Sequence, residues 1–257
     1  IETSKLDKVV LARAVDIEFP EAIDPRLVAA RLIDLSANRD GFIADLSPAG
    51  RPGAMLVGSS PEVLVKRQGS TVSAFPLAGS SPRRASAAED HIAGQDLLHS
   101  AKDLHEHSFV VEHLRRVLSP LCERLDIPDT PQLISTNEMW HLGTPISGTL
   151  KDKDLTALEL ALAAHPTPAI CGTPAEAAQA LIETAETDRG FYAGAVGWCD
   201  SSGDGEYMVA IRCAEVAGDG LSARAWAGGG IVGDSDAHAE LEETTAKLRT
   251  ILKALSL

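Results

Sequence analysis

Apolar and polar residues alternate along LDKVVLARAVDIEF (Leu6 to Phe19), the period of a half-buried strand, with Lys8 and Arg13 among the polar positions. From Pro25 to Ala37 the period becomes helical, with Leu27, Ala30, Leu32 and Leu35 available for the buried side. Ala54 to Gly58 is a short apolar strand. Val63 to Lys66 and Thr71 to Phe75 flank a Gln68-Gly69-Ser70 turn and predict a hairpin, followed by a Gly/Ser/Pro loop from Gly79 to Pro82. From Ala85 to about Arg124 the pattern is helical again, in two pieces.

QLIST and EMWHLGTPISGTL read as strands around His141, and Leu155 to Ala164 as a helix. Thr173-Pro174-Ala175-Glu176 has the form of a capping box with proline at the first helical position, predicting a helix from about Pro174 to Ala185. FYAGAVGWCD, EYMVAIRCAEV and LSARAWAGGG, separated by SSGDG and AGDG turns, predict three consecutive antiparallel strands. Arg212 is a charge inside the second of them. An unpaired guanidinium is costly to bury, so it must face water, a carboxylate or a ligand.

The stretch WAGGGIVGDSDAHAELEETTAKL (Trp226 to Leu248) carries a strand end into three glycines, a polar turn and a helix, with Asp234, Ser235 or Asp236 as N-cap. Glu240, Glu243 and Lys247 fall on one face of that helix. Such a face is ordinarily solvated; alternatively, two carboxylates one turn apart can hold a hard cation and the lysine can meet an anion. Gly228, Gly230 and Gly233 spell G-x-G-x-x-G, but the dinucleotide fingerprint requires a βαβ unit, and no second strand follows before Leu257.

Composition narrows the function. With 257 residues and 44% hydrophobic content the chain can bury a sizeable core, and no apolar run of about 18 residues exists to span a membrane. A net charge of −14 argues against nucleic acid, whose phosphates demand a basic face. Four scattered cysteines (Cys122, Cys171, Cys199, Cys213) lack zinc-site spacing and read as buried thiols of a reducing cytoplasm. The chain opens on Ile1 with no signal peptide and enters a strand within a few residues, which suggests that an upstream part is missing.

KVVLAR, GSSPEVL, FPLAGSSPR, KDLHEHSFVVEH, WHLGTPISG, HPTPAICG, RGFYAGAVGW, AIRCAEV and AGGGIV with ELEETTAKL recur in this order. Together they resemble the catalytic domain of the chorismate-utilising enzymes, from about Lys8 to the C-terminus. The resemblance implies one chorismate-binding domain over residues 1–257 with an α+β fold: two large, mostly antiparallel sheets packed together, with helices outside. It implies Mg²⁺ bound by Glu106 and Glu243, with Asp103 and Glu240 as water-mediated partners. The substrate carboxylates would meet Arg212, Lys247 and backbone N–H groups of Gly79 and Gly228, Gly229 and Gly230, with Ser80, Ala169 and Tyr192 also lining the site. Lys8 matches the general base and Glu62 the general acid for replacement of the C4 hydroxyl by a nucleophile at C2. Desolvation would have to let the acid keep its proton at neutral pH. His141 matches a residue orienting the ring. No further partner is implied, and a monomer is expected.

Within the family, covalent-lysine enzymes carry that lysine where this chain has Ala78, so water or ammonia is the nucleophile. Members that expel pyruvate carry threonine where Ala169 stands, so the chain resembles isochorismate synthases, whose product feeds siderophore, menaquinone or salicylate formation. A salicylate synthase is the alternative, and a catalytically dead relative the reading of another class. Gly229 departs from the alanine usual in relatives.

Overall fold

The computed structural model describes residues 6–36 and 38–257, so the expected helix end at Ala37 lies outside the described residues. Every strand pairing in it is antiparallel. The first sheet is built from β1 (Lys8–Glu18), β2 (Gly41–Asp45) and β3 (Met55–Ser59) with three strands from the far end of the chain. The second starts from the hairpin β4 (Val63–Gln68) and β5 (Thr71–Phe75), as expected. After it come β6 (Leu77–Pro82), β7 (Cys122–Asp126), β8 (Gln132–Ser135), β9 (Met139–Gly143), β10 (Ile146–Leu150), β11 (Gly172–Thr173), β12 (Ala195–Cys199), β13 (Gly205–Val209), β14 (Cys213–Val216) and β15 (Ser222–Ile231). The helices are α1 (Pro25–Leu35), α2 (Ala87–His99), α3 (Ala101–Leu118), α4 (Ala157–Ala164), α5 (Ala175–Ala185) and α6 (Ala237–Ala254).

The sheet orders are β11-β1-β15-β14-β3-β2 and β12-β13-β4-β5-β10-β7. A third, three-stranded sheet, β6-β9-β8, was not expected. The segment Gly79 to Pro82, read as a loop, belongs to β6, whose partner β9 lies some sixty residues away in sequence, beyond the reach of a local pattern.

Strand alternation explains how the first sheet is buried on both faces. Leu56, Cys213 and Trp226 turn toward Val65, Val72, Ile146 and Val209 of the second sheet, forming the main core. Their neighbours Val57, Ala214 and Ala225 turn the other way, onto Val28 and Leu32 of α1 and Leu248 and Ile251 of α6. The buried side of α1 is therefore Val28, Ala29 and Leu32, whereas Leu27 is 59% exposed and Ala30 is exposed.

Two further expectations fail for tertiary reasons. Thr173 is consumed by β11, opposite Lys8, so Pro174 caps α5 with no side-chain bond; the realised capping box is Thr156 with Glu159 on α4. EYMVAIRCAEV is not one strand. The chain leaves the second sheet after Val209, turns at Arg212 (φ 52°), and enters the first sheet as β14. Of the cysteines, Cys122, Cys171 and Cys213 are buried free thiols and Cys199 is half-buried. Among the described residues no helix is long and apolar enough to cross a membrane.

Candidate active site

A single pocket gathers most of the candidate residues. Its wall includes Glu62, Gly79, Ser80, Glu106, His141, Ala169, Tyr192, Arg212, Gly228, Gly230, Glu243 and Lys247. Lys8, Asp103, Gly229 and Glu240 lie behind that wall rather than on it.

The sheet switch places Arg212. Its left-handed backbone, uncommon for a residue with a Cβ, turns the side chain inward, where it is buried. Its guanidinium lies 3.2 Å from Nε2 of His141 on β9. Arginine only donates, so Nε2 accepts and the imidazole proton sits on Nδ1. Burial, then the charges of Arg212 and Lys247, push the His141 pKa well below its ordinary value, so the ring is neutral at neutral pH. Among the described residues no carboxylate forms an ion pair with Arg212. Of the three environments open to it from sequence, the pocket and a ligand remain.

Glu62, just before β4, is buried and faces the same space. Desolvation raises its pKa to about 7; the N–H of Leu77 and the charges of Lys8, Lys247 and Arg212 oppose the rise without cancelling it. Tyr192 stacks on Trp226 with ring centroids 5.9 Å apart, and its hydroxyl lies beside Gly228, where a Cβ would come within 3.0 Å. Burial raises the phenol pKa, so it stays a neutral donor.

The glycine run is a strand, not a loop, and its register decides which amides are free. Val10 of β1 opposes Gly230 and gives its N–H to Cys171, while Ala12 opposes Gly228 and gives its N–H to Glu186. These are therefore non-hydrogen-bonded pairs, and the backbone groups of Gly228 and Gly230 point away from β1. On that side β14 reaches only as far as Ala225, so the amides are open to the pocket. Gly229 spends its N–H on the ladder with Leu11, which is why it supplies no donor to the site.

Lys8 is fully buried at the start of β1, with Nζ 3.0 Å from Oε1 of Glu106 on α3 but, among the described residues, in no hydrogen-bonding orientation to a partner. Both press on Gly230: a Cβ there would stand 2.0 Å from Oε1 of Glu106 and 2.9 Å from Cε of Lys8. Lys247 Nζ reaches Glu243 Oε1 at 2.5 Å and the Gly228 carbonyl at 3.0 Å. Burial would raise the Glu243 pKa, but the Lys247 charge and hydrogen bond, with help from Ser80, hold it low. Asp103 accepts from the Ser100 hydroxyl, which caps α3, at 2.5 Å; burial raises its pKa, and its position behind Gly79 separates it from the pocket. On Glu240, Oε1 is held by Lys102 Nζ and Ser235 Oγ, both at 2.8 Å, while Oε2 faces Gly229.

Glu106 and Glu243 thus present hard oxygens from two helices to one pocket, and Mg²⁺ needs only one or two direct carboxylates. Among the described residues no three ligating side chains close on a point, so an ion there would complete its shell with water or substrate oxygens. The donor set fits a hard divalent cation.

Sequence reasoning missed two supports. His107, buried on α3, donates from Nδ1 to the Ala78 carbonyl (3.1 Å) and accepts at Nε2 from Thr144 (2.7 Å), and burial holds its pKa at about 4. It fixes the strand edge next to Gly79. Lys102 was the other; its position one turn before Glu106 was the available signal.

The family model described as chorismate binding enzyme matches residues 1–256, and the chain belongs to that family. A Mycobacterium tuberculosis relative, provisionally named isochorismate synthase MenF, is 52% identical over 97% of this chain and 68% of its own length. Isochorismate synthase DhbC of Bacillus subtilis is 45% identical over 99% of this chain and 64% of its own length. A Bacillus anthracis crystal structure, provisionally named 2,3-dihydroxybenzoate-specific isochorismate synthase DhbC, matches with a TM-score of 0.94 at 43% identity, covering 98% of this chain and 67% of that one. The chain thus spans about two-thirds of the length of these relatives.

Proposed function

We propose that this chain carries the catalytic site of an isochorismate synthase, an isomerase that interconverts chorismate and isochorismate with Mg²⁺. The observation that carries the reading is Glu62: a carboxyl with a pKa of about 7, able to hold a proton at neutral pH, in a pocket that also holds an arginine in no ion pair among the described residues. The names of relatives 45–52% identical support the substrate.

Arg212 and the amides of Gly228 and Gly230 hold a substrate carboxylate, and the Tyr192 hydroxyl adds a neutral donor. His141 holds Arg212 in place and, being neutral, adds no competing charge. Lys8, as the neutral amine left once its own proton has gone to solvent, takes a proton from water as the water oxygen bonds to C2. The two conjugated double bonds of the ring each move one position, from C1–C2 to C1–C6 and from C5–C6 to C4–C5, the C4–O bond breaks, and Glu62 gives the departing hydroxyl its proton, so water is consumed and released in equal amount. In reverse the two groups exchange roles. Mg²⁺, held by Glu106 and Glu243, would neutralise a substrate carboxylate. These roles explain how a chain of net charge −14 can hold a dianion: the positive charge is supplied locally, by Arg212 and the bound cation.

The test is incubation with chorismate and Mg²⁺, with and without EDTA, and product identification by chromatography and mass spectrometry. Isochorismate alone, lost with EDTA, is expected. Salicylate with pyruvate would move the chain to salicylate synthase, the reading that Ala169 and the named relatives do not favour.

A further inference from the structure

Three lysines each hold one carboxylate around Gly229 and Gly230: Lys8 with Glu106 at 3.0 Å, Lys247 with Glu243 at 2.5 Å, and Lys102 with Glu240 at 2.8 Å. The convergence is tight. A Cβ at Gly229 would stand 3.0 Å from Glu240 Oε2 and 3.8 Å from Glu243 Oε1, and one at Gly230 would meet Glu106. Lys8 acts on water in the proposed reaction, and Lys247 lines the pocket itself. Lys102 does neither: it lies outside the pocket wall, on the first turn of α3, and reaches across to α6.

We propose that Lys102 is a fixed counter-ion of the cation site, which holds down the free protein's affinity for a divalent cation. The inference rests on the cation reading of Glu106 and Glu243. Two effects of opposite sign compete. As a prop, Lys102 steadies Glu240 and would help a cation. As a charge, it neutralises a carboxylate beside the site and repels the cation directly. Ser235 also holds Glu240 Oε1 at 2.8 Å, so the prop is duplicated while the charge is not. The side chain of Glu240 is 9% exposed and that of Lys102 27%, so solvent screens the charge only in part. The charge effect therefore wins.

The test is Mn²⁺ titration of the substrate-free protein by electron paramagnetic resonance, which needs no turnover. Lys102→Met is expected to tighten Mn²⁺ by about tenfold, as removal of one nearby positive charge should. Lys102→Arg, which keeps the charge, should bind like the unaltered protein. A disrupted site could only weaken binding, so the sign separates the proposal from damage. Should Lys102→Met melt early, Lys102→Gln repeats the measurement. Equal or weaker binding in the charge-removing variant overturns the proposal. Glu243→Gln separates the two layers: if it binds Mn²⁺ as the unaltered protein does, the cation reading fails instead.

Discussion

Arg212 donates to Nε2 of His141 across 3.2 Å, and this bond joins the point where the chain changes sheets to the middle of the small third sheet. It fixes the imidazole tautomer and leaves the rest of the guanidinium for an anion. The bend that makes it has φ 52°, a conformation that costs a non-glycine residue about 1 kcal/mol or more. Arg212→Gly should relieve that strain and remove a buried charge. The expected result is a higher melting temperature together with kcat/KM reduced at least a hundredfold, roughly the loss of a charge-assisted contact. A variant that melts lower would show that the guanidinium stabilises the fold.

The Glu62 pKa of about 7 gives a pH dependence with a definite sign. As the acid it must be protonated, so kcat/KM should fall as pH rises through about 7, and the alkaline limb should vanish in Glu62→Gln. Stability moves with it. A pKa raised from 4.5 to about 7 means that stability is full below pH 4.5 and is lost as pH rises through 7. Glu62→Gln should therefore melt higher than the unaltered protein at pH 8 and show no such gain at pH 4. Thermal melts at the two pH values check this.

Among the described residues Lys8 has no hydrogen bond to justify its burial, and its one ion pair is with Glu106. Lys8→Met preserves most of the volume, so a folded protein is expected, with turnover lost and chorismate binding retained by calorimetry. Normal turnover would exclude Lys8 as the base.

The two glycines under the carboxylates should respond differently to a methyl group. At Gly229 the added carbon comes closest to Glu240 Oε2 at 3.0 Å, with Thr244 and Glu243 at ordinary contact distance and no backbone in the way, so Gly229→Ala should keep activity within about threefold. At Gly230 it would collide with Glu106 at 2.0 Å and Lys8 at 2.9 Å, with Lys8 fully buried and unable to yield. Gly230→Ala should lose both turnover and Mn²⁺ binding.

Elements whose pattern is local were legible in the sequence: β1, the β4–β5 hairpin, α3, and α6, whose cap is Asp236 out of the three candidates Asp234, Ser235 and Asp236. Elements defined by distant partners were not. Gly79 to Pro82 became a strand because β9 lies beside it, and Thr173 lost its capping role because Lys8 pairs with it. EYMVAIRCAEV is continuous in hydrophobicity, and only the positive φ at Arg212 divides it between sheets. At the site, motif order gave the residue set, but not which amides the β1 register leaves open. Nor could it pair Lys102 with Glu240, 138 positions away.

In the proposed reaction water bonds to C2 of chorismate and the C4 hydroxyl leaves. Turnover in oxygen-18 water with Mg²⁺ tests it in one step. The account predicts isochorismate carrying one oxygen-18 at C2, and recovered chorismate slowly labelled at C4 by the reverse reaction. Isochorismate formed without label, or salicylate and pyruvate in its place, would contradict it.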